Sequence, residues 1–235
     1  MKRSKRYQGS VTLVAPQDSY AVDDAVEKLK AAATAGFDET AEVTLILGIK
    51  ASQVVVRGTC NLPHGTGKTV RVLAFAKGES ITEAEQAGAD YVGGEDLAKR
   101  IQEGWYDFDK VVATPDMMGV VGKLGKVLGP RGLMPSPKTG TVTKDIGAVI
   151  GELKRGMVEF RTDRYGVIHT VFGKASFEPS ALKENLLAVI RSVAERRPEE
   201  GVKGRYIKKV SIASTMGPGI LLRAGELNTI VEAVD

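Results

Sequence analysis

The stretch VRVLAFAKGESITEAEQAGADYVGGEDLAKRIQEGWYDFDKVVATPD, residues 70–116, decides the fold of the middle of the chain. Its first seven residues, VRVLAFA, form a nearly continuous apolar run, which is typical of a parallel strand buried on both faces. Two further short runs, ADYVGG and KVVATPD, follow, and the segments SITEAEQAG and EDLAKRIQEGW between the runs have the pattern of helices. Strands that alternate with short helices predict βα units around a mainly parallel sheet. Ser80 or Thr82 is expected to cap the first helix, and a helix at about residues 145–155 closes the block.

The sequence on either side of this block has a different rhythm. Before it, the pattern predicts a helix at residues 22–35 that ends at Gly36, and then strands at about 42–49 and 54–60. After it, MVEFR and VIHTVFG predict a hairpin around the turn DRYG. A long amphipathic helix, PSALKENLLAVIRSVAERR, and a strand, KKVSIAST, complete this part. Both flanks therefore have α+β character.

This change of rhythm predicts the domain organisation. We expect a discontinuous two-domain protein of α+β and α/β class. Residues 1–66 and 158–235 form a split α+β domain, and residues 67–157 form an α/β domain inserted into it.

The composition is that of a globular protein of one or two domains, with 235 residues, 43% hydrophobic and 26% charged. No stretch approaches the ~18 consecutive apolar residues of a membrane span, and the basic start MKRSKRYQGS leads into no apolar segment of a secretory signal. The single cysteine, Cys60, excludes an internal disulfide framework and fits a reducing compartment. We therefore expect a cytoplasmic protein that is not bound to a membrane.

Charge is distributed unevenly, although the net charge of +4 is modest. Residues 79–109 contain nine acidic and two basic side chains, whereas residues 122–174 contain ten basic and four acidic ones, which predicts one acidic and one basic face. Within residues 119–144, six glycines and three prolines surround five basic side chains: Lys123, Lys126, Arg131, Lys138 and Lys144. Two interpretations of this basic loop are equally supported, namely contact with phosphates or a turn-rich connection with solubilising charges.

Two glycine-rich motifs point to nucleotide chemistry, and both depart from the pattern that it needs. GTGKT at residues 65–69 resembles the end of a phosphate-binding loop, but the first glycine of that motif would have to stand where the chain has Leu62. A strand also follows it, where the motif needs a helix whose N-terminus points at the phosphates. The glycines of residues 119–132 never form the dinucleotide fingerprint G-x-G-x-x-G.

Metal and nucleophile chemistry are equally unsupported. Cys60, His64 and His169 are three candidate ligands, and a structural zinc site needs four in paired spacing. A cysteine on an apolar strand is more often buried than catalytic. Asp38 and Glu39 are adjacent and diverge on most backbones, which argues against a catalytic carboxylate pair. We therefore expect no enzyme activity, no cofactor and no metal.

Seven blocks of sequence resemble the L-one family of bacterial large-subunit ribosomal proteins. They follow one another in the family's order and span most of the chain. The segment LGPRGLMPSPKTGTV at residues 128–142 is the most specific of them. The others are FDET at 37–40, NLPHGTGKTVRVLAFAKG at 61–78, AGADYVGG at 87–94, FDKVVATPDMM at 108–118, GKASF at 173–177 and STMGP at 214–218.

The resemblance implies a structural constituent of the large ribosomal subunit at the mobile stalk beside the tRNA exit site. Its implied partners are the stalk junction of 23S rRNA, the exit-site tRNA whose movement and release it assists, other large-subunit components, and its own mRNA leader or operon mRNA, whose translation it represses. Off the ribosome, a monomer is implied. The implied fold is the split α+β domain with an inserted Rossmann-like domain, in agreement with the pattern above.

The resemblance also implies which residues bind rRNA. In the segments that match FDET and STMGP these are Phe37, Thr40, Thr215, Met216 and Gly217. Phe37 would stack on a base or ribose, Thr215 would offer a hydroxyl, and Gly217 would let the backbone approach a 2′-OH. Phe37 and Met216 have the alternative role of ordinary core residues. The predicted hairpin places three further candidates near the same face: Arg161, Lys174 and Ser176.

The chain departs from the family pattern in three places. Gly36 stands where a basic residue is common, and the loop between Ile49 and Val54 is shorter and less basic than usual. Residues 219–235 extend the usual close, and their apolar residues Leu221, Leu222, Leu227, Ile230 and Val231 suggest an additional amphipathic element. Two other functions remain as alternatives, a nucleotide-using enzyme built on the inserted domain and a regulatory RNA-binding protein outside the ribosome.

Overall fold

The computed structural model describes residues 4–14, 18–51, 53–223 and 225. The chain divides into two compact units, one formed by Met1–Gly67 with Val158–Asp235 and the other by Lys68–Met157. We call them the split unit and the central unit. Strands and helices are mixed in both, so the protein is of mixed α and β class. That the units are separate domains, and that the central one is Rossmann-like, stays a prediction.

The split unit is built on a five-stranded sheet with the order β1-β10-β9-β2-β8. Its strands are β1 (Ser19–Tyr20), β2 (Thr40–Ile49), β8 (Val167–Lys174), β9 (Val202–Ser214) and β10 (Ile220–Leu222). Strand β2 lies antiparallel between β8 and β9, and only β1 with β10 is parallel. Two further strands, β3 (Arg57–Asn61) and β7 (Met157–Arg161), pair with each other in a separate ribbon.

The split unit includes the helices α1 (Lys5–Thr12), α2 (Val22–Ala32) and α8 (Pro179–Ala194). Helix α2 buries Val22, Ala25, Val26, Leu29 and Ala32, which lie on one face at helical spacing. It ends at Ala32, so the expected stop at Gly36 is wrong; the backbone has already left the helix at Ala33, with ψ 85°. Helix α8 buries the polar Asn185 among its apolar residues.

Strand β2 is an inner strand of this sheet, and its side chains alternate between more exposed and buried from Thr40 to Leu47. Ala41, Val43, Leu45 and Leu47 are buried and pack with α2, α8 and the facing strands, while the residues between them are more exposed. This alternation fixes the register, since a slip of one residue would turn the apolar set to water. The N-terminal end of β2 therefore has a defined position beside the C-terminal ends of β8 and β9.

The central unit contains a three-stranded parallel sheet with the order β5-β4-β6. Its strands are β4 (Val72–Phe75), β5 (Tyr91–Gly93) and β6 (Lys110–Ala113). Its helices are α3 (Glu79–Gln86), α4 (Glu95–Gln102), α5 (Met118–Lys123), α6 (Gly125–Leu128) and α7 (Ile146–Arg155), with 3-10 turns at Pro115–Met117 and Pro137–Thr139. Leu73 and Phe75 enter one core cluster and Val72 and Ala74 another, so β4 is buried on both faces, as its sequence predicts.

The hairpin expected from MVEFR and VIHTVFG is wrong. Strand β7 pairs with β3 and strand β8 with β2, and a single bridge between Thr162 and Ile168 joins the two. The reason is that both strands alternate, which specifies a buried face but not a partner. The polypeptide still reverses at residues 163–166, where Gly166 adopts a positive φ of 80°.

Three other local predictions change. Helix α3 has Gly78 at its N-cap and no side-chain cap, so neither Ser80 nor Thr82 caps it. Much of the basic loop is helical, because α5 and α6 lie within it. Leu221 and Leu222 belong to β10 rather than to an amphipathic helix, while Leu227, Ile230 and Val231 lie outside the described residues.

Candidate nucleic-acid interface

The ends of three neighbouring strands lie side by side in the five-stranded sheet. Thr40, the first residue of β2, pairs with Lys174, the last residue of β8, and its neighbour Ala41 pairs with Ser214, the last residue of β9. Because these strands are antiparallel, the segments that precede β2 and follow β8 and β9 lie side by side. They bring together seven of the eight predicted rRNA-binding residues, which we call the strand-end surface: Phe37, Thr40, Lys174, Ser176, Thr215, Met216 and Gly217.

Two apolar side chains of this surface are turned to solvent. Phe37 is 56% exposed and Met216 is 47% exposed, so neither is the core residue that each could have been. An exposed phenyl ring suits base stacking, which contributes about 1–3 kcal/mol per base, and a methionine adapts to an irregular partner.

The buried carboxylate of Glu39 holds the two segments that carry these side chains. Glu39 is 1% exposed, and it accepts hydrogen bonds from the backbone N–H of Ala35 at 2.9 Å and of Met216 at 2.9 Å. Burial opposes its ionisation, but the amides of Met216 and Ala35, together with Ser214 and the positive charge of Arg6, hold the pKa of the carboxyl below its ordinary value. Glu39 therefore acts as an ionised clamp between the segment before β2 and the segment after β9.

Thr215 is tied to Thr40 by its backbone and its side chain. Its N–H donates to the Thr40 carbonyl at 3.0 Å, and its hydroxyl oxygen accepts from the Thr40 N–H at 2.9 Å. The hydroxyl expected to face RNA thus extends the β2–β9 ladder by one step. Thr215 is still exposed, so its hydroxyl oxygen keeps a second lone pair for a partner.

Asp38 points away from Glu39 and organises the segment after β8. Its carboxylate accepts from the Ser176 N–H at 3.1 Å and from the Ser176 hydroxyl at 2.8 Å. The two adjacent carboxylates therefore diverge, as their sequence predicts, and they form no catalytic pair. Sequence reasoning missed both as supports of the site, because their partners lie far along the chain.

Lys174 brings a positive charge to the middle of the surface. Its Nζ donates to the Thr40 hydroxyl at 2.9 Å and to the Asp38 carbonyl at 3.3 Å. An ammonium carries three N–H donors, and these two bonds are the ones the described residues make to it. The ammonium is therefore held in place with a donor left for a phosphate or ribose oxygen.

Gly217 closes a tight turn with Ser214, whose carbonyl accepts from the Gly217 N–H at 3.0 Å. A Cβ at Gly217 would lie 2.4 Å from the Ser214 hydroxyl oxygen, closer than atoms approach in real structures. A larger residue here would therefore force the Ser214 side chain to move, and the turn fixes where Met216 emerges. The exposed backbone of this turn can approach a partner closely.

Arg161 does not join this surface. It ends β7 beside the Thr162–Ile168 bridge, and Ile168 pairs with Leu45, five residues along β2 from Thr40. At about 3.3 Å per residue, Arg161 lies on the order of 15 Å from the strand ends. The predicted hairpin could not have brought it there either, because its turn leaves Arg161 beside the start of β8, whereas Lys174 ends that strand.

The basic side chains of the central unit are exposed, and most stand on short helices. Lys123 ends α5, Lys126 lies in α6 and Lys138 in the 3-10 turn. Arg131 places its guanidinium 3.8 Å from the centroid of the Tyr106 ring, a cation–π contact. Val121, Leu124 and Leu128 of the same segment are buried, so the segment is an amphipathic helical layer rather than an irregular connection.

The motifs that pointed to catalysis remain without chemistry. GTGKT is followed by strand β4, and not by the helix that phosphate binding needs. Cys60 is buried, and that burial raises the pKa of its thiol to about 11, so the nucleophilic thiolate is suppressed. Within the described ranges no group of three or more His, Cys, Asp or Glu side chains is placed to hold a metal ion.

Among the described residues, no helix combines the length and the apolar character of a membrane span.

The chain is similar to known proteins along most of its length. The model of the Ribosomal protein L1p/L10e family matches residues 29–218, a range that includes the whole strand-end surface. The chain is 57% identical over 234 residues to the large ribosomal subunit protein uL1 of Fervidobacterium nodosum, covering 98% of each chain. It is 53% identical to that of Thermobifida fusca, covering 94% of each, and 54% identical to that of Thermus thermophilus, covering 93% of this chain and 96% of the relative. These relatives are named as ribosomal proteins and not as enzymes.

Proposed function

This chain belongs to the ribosomal protein L1p/L10e family and is a structural protein of the large ribosomal subunit, and from that premise we propose that it binds 23S rRNA at the stalk junction through the strand-end surface. The observation that carries the proposal is the pair of exposed apolar side chains, Phe37 and Met216, on segments clamped by Glu39. A rigid surface with a flat ring, a soft side chain, hydroxyls and one ammonium suits unpaired bases and ribose of folded RNA. It does not suit a regular duplex, which offers mainly phosphates.

The experiment is a binding titration of an rRNA fragment that contains the stalk junction, across a series of salt concentrations. We expect tight, salt-dependent binding to that fragment and weak binding to a generic duplex. Phe37→Ala should weaken binding about tenfold or more if the ring stacks on a base. Thr215→Val, which replaces the hydroxyl by a methyl group, should weaken it as well.

Tyr165→Ala is the matched control, because it removes an exposed aromatic ring of the same unit far from the strand ends. Unchanged rRNA affinity in that variant, together with weakening by Phe37→Ala, supports the assigned surface. Equal affinity of the wild type for the fragment and for a generic duplex sinks the specific site.

Contact with exit-site tRNA is a second function, and the opposite end of the split unit supports it. Tyr165 is 69% exposed in the turn at residues 163–166, with the Arg164 guanidinium 4.9 Å from its ring centroid. The Asp163 carboxylate accepts from the N–H of Val167 and of Tyr165, both at 2.8 Å, which keeps the turn rigid. Val167 pairs with Ile46, so this turn lies about 20 Å along β2 from Thr40, and two RNAs can bind at the two ends.

Repression of the protein's own mRNA uses the strand-end surface in this proposal. One surface then serves two RNAs of similar shape, so the rRNA fragment should displace the mRNA leader competitively, and Phe37→Ala should weaken both. The tRNA should compete with neither, and Tyr165→Ala should affect tRNA alone. Simultaneous binding of leader and fragment contradicts the shared surface. Co-sedimentation with large subunits distinguishes this ribosomal role from that of a free regulator.

A further inference from the structure

Residues 64–67, which include the first half of the GTGKT motif, lie against Lys174 of the strand-end surface, and a buried polar side chain fixes their position. Asn185 of α8 is 0% exposed. Its Oδ1 accepts from the His64 N–H at 3.0 Å, and its Nδ2 donates to the carbonyls of Gly65 at 3.0 Å and Phe172 at 2.8 Å. One amide therefore joins a helix, the segment at residues 64–67 and strand β8. A buried amide with this many bonds specifies one local arrangement.

Residues 64–67, held in this way, contact the side chain of Lys174. Gly67 has a φ of +72°, and a Cβ there would lie 2.8 Å from Cγ of Lys174 and 2.9 Å from Cε1 of Phe177. The bare backbone of Gly67 thus touches the aliphatic stem of Lys174. A lysine side chain has several rotatable bonds, so a fixed ammonium needs a wall for its stem as well as hydrogen bonds for its tip.

We infer that Asn185 is a positioning residue for RNA binding, which acts through residues 64–67 on the side chain of Lys174. The inference rests on the proposed function, because it assigns Lys174 a contact with RNA. The path has three steps: Asn185 holds the backbone at His64 and Gly65, Gly67 then covers the stem of Lys174, and the ammonium stays at Thr40 and Asp38. The ion pair of His64 with Glu184, at 2.6 Å, ties the same segment to α8, but its partners are largely exposed and it adds little.

A double-mutant cycle tests the path, with the rRNA fragment as the ligand. Lys174→Met keeps the aliphatic stem and removes the ammonium. Asn185→Ala removes the amide that holds the backbone at His64 and Gly65. We expect each single substitution to weaken binding about fivefold and the double variant to be no weaker than Lys174→Met alone, since groups in one path are not additive. The slope of log affinity against log salt should fall by about 0.7–0.9 in all three, which is the signature of one fewer neutralised phosphate.

Ser192→Ala is the matched control for a loss of stability. Ser192 lies on the same helix, and its hydroxyl donates to the Thr59 carbonyl at 3.0 Å, away from residues 64–67. It should lower the melting temperature while it leaves RNA affinity within about twofold and the salt slope unchanged. Should Asn185→Ala not fold, Gly67→Ala perturbs the same wall directly and takes its place in the cycle.

The outcomes separate the inference from the proposed function. Suppose that the wild type prefers the fragment and that Lys174→Met weakens binding. If Asn185→Ala then weakens binding by the same factor with or without the Lys174 ammonium, the positioning role of Asn185 is overturned, while the proposed RNA-binding site stands. If Ser192→Ala matches Asn185→Ala in affinity and slope, the positioning role is likewise overturned. If Lys174→Met changes nothing, the RNA role of Lys174 fails and the inference fails with it.

Discussion

Glu39 is buried, and its carboxylate stays charged because two backbone amides donate to it. One of these amides, that of Met216, lies 177 residues away in the sequence. A neutral side chain at this position would leave the two segments of the strand-end surface less firmly joined. We therefore expect the charge of Glu39 to stabilise the fold and to fix the positions of Phe37 and Met216.

The sign of the pH dependence follows from the lowered pKa. The unfolded chain should titrate near the ordinary value of 4.5, and the folded carboxyl titrates below it. The contribution of Glu39 is thus fully present above pH 4.5 and is lost as the pH falls through the folded pKa. Glu39→Gln should lower the free energy of unfolding by about 1–3 kcal/mol at neutral pH, and by less in acid.

Urea unfolding at neutral pH and at about pH 3.5 measures this difference. Glu42→Gln is the control, an exposed glutamate on the same strand, which should change stability by no more than about 0.5 kcal/mol. A difference between wild type and Glu39→Gln that stays constant with pH would mean that the charge of Glu39 is not what stabilises the turn.

Gly217 gives a second prediction, since Gly219 in the same segment has much more space around it. A Cβ at Gly217 meets the Ser214 hydroxyl oxygen at 2.4 Å, whereas nothing lies within 4 Å of one at Gly219. Gly217→Ala should cost about 1–3 kcal/mol of stability through overpacking, and it should displace Met216 and weaken rRNA binding. Gly219→Ala should leave both the thermal midpoint and the affinity nearly unchanged. Equal behaviour of the two variants contradicts the steric argument.

At the scale of the elements, helices α5 and α6 bear on the two interpretations of the basic loop, namely contact with phosphates or a connection with solubilising charges. Val121, Leu124 and Leu128 are fully buried, whereas Lys123 and Lys126 face solvent on the same short helices. The apolar residues account for the fold of this segment, so its lysines are not needed for that fold. Exposed lysines on an anchored layer suit phosphate contact, and we expect them to provide it.

Paired variants test this assignment. Lys123→Gln with Lys126→Gln should lower the salt slope of RNA binding by about 0.7–0.9 for each phosphate that is no longer neutralised, with unfolding unchanged. Leu124→Ala should do the reverse, with a loss of about 2–5 kcal/mol of stability from the cavity. RNA affinity and slope unaffected by the double lysine variant would leave these charges a solubilising role only.

The same helices show what could be predicted from the sequence. The βα rhythm of residues 70–116 was sufficient for the sheet, because a continuous apolar run permits little else than a strand buried on both faces. Helices α5 and α6 were missed because glycine has a low helix propensity. A signal was present nonetheless, since Met117, Val121, Leu124 and Leu128 follow one another at intervals of four, three and four residues.

The site was harder to predict than the fold. Motif resemblance identifies Phe37, Thr215 and Met216, but a lone phenylalanine after a helix fits a core as well as a surface. Its exposure follows from the clamp at Glu39, whose partners are backbone amides and carry no side-chain signature. Arg161 was misplaced because it stands just before the turn at residues 163–166, at the start of β8, whereas Lys174 ends that strand.

At the scale of the whole molecule, the core clusters follow the two units. One cluster fills the split unit, and it includes Leu186, Val189 and Ile190 from α8. Two others lie on either face of the central sheet, and Phe75 and Ile150 belong one to each. Outside its acidic stretch at residues 79–109, the central unit exposes Lys123, Lys126 and Lys138, whereas the strand-end surface offers one lysine, Lys174, beside the exposed Phe37 and Met216. RNA should therefore meet the split unit by contact with bases and ribose, and the central unit mainly through phosphates.

Separate cores predict separate unfolding. The chain has one tryptophan, Trp105, and it packs in the central unit with its ring centroid 4.7 Å from that of Tyr91. Its fluorescence therefore reports on the central unit, while circular dichroism reports on both. Ile150→Ala should lower the urea midpoint seen by Trp105 through a loss of about 2–5 kcal/mol, and rRNA binding by the split unit should persist.

Ile190→Ala is the matched counterpart, since it removes the same atoms from a fully buried site of the split unit. It should shift the part of the circular dichroism transition that Trp105 does not follow, and it should weaken rRNA binding as the strand-end surface loses its support. A common shift of the Trp105 midpoint by both substitutions would show one cooperative structure, because destabilising either core would then unfold both. Different shifts would make the central unit a domain in the thermodynamic sense, inserted into a fold that the two ends of the chain complete.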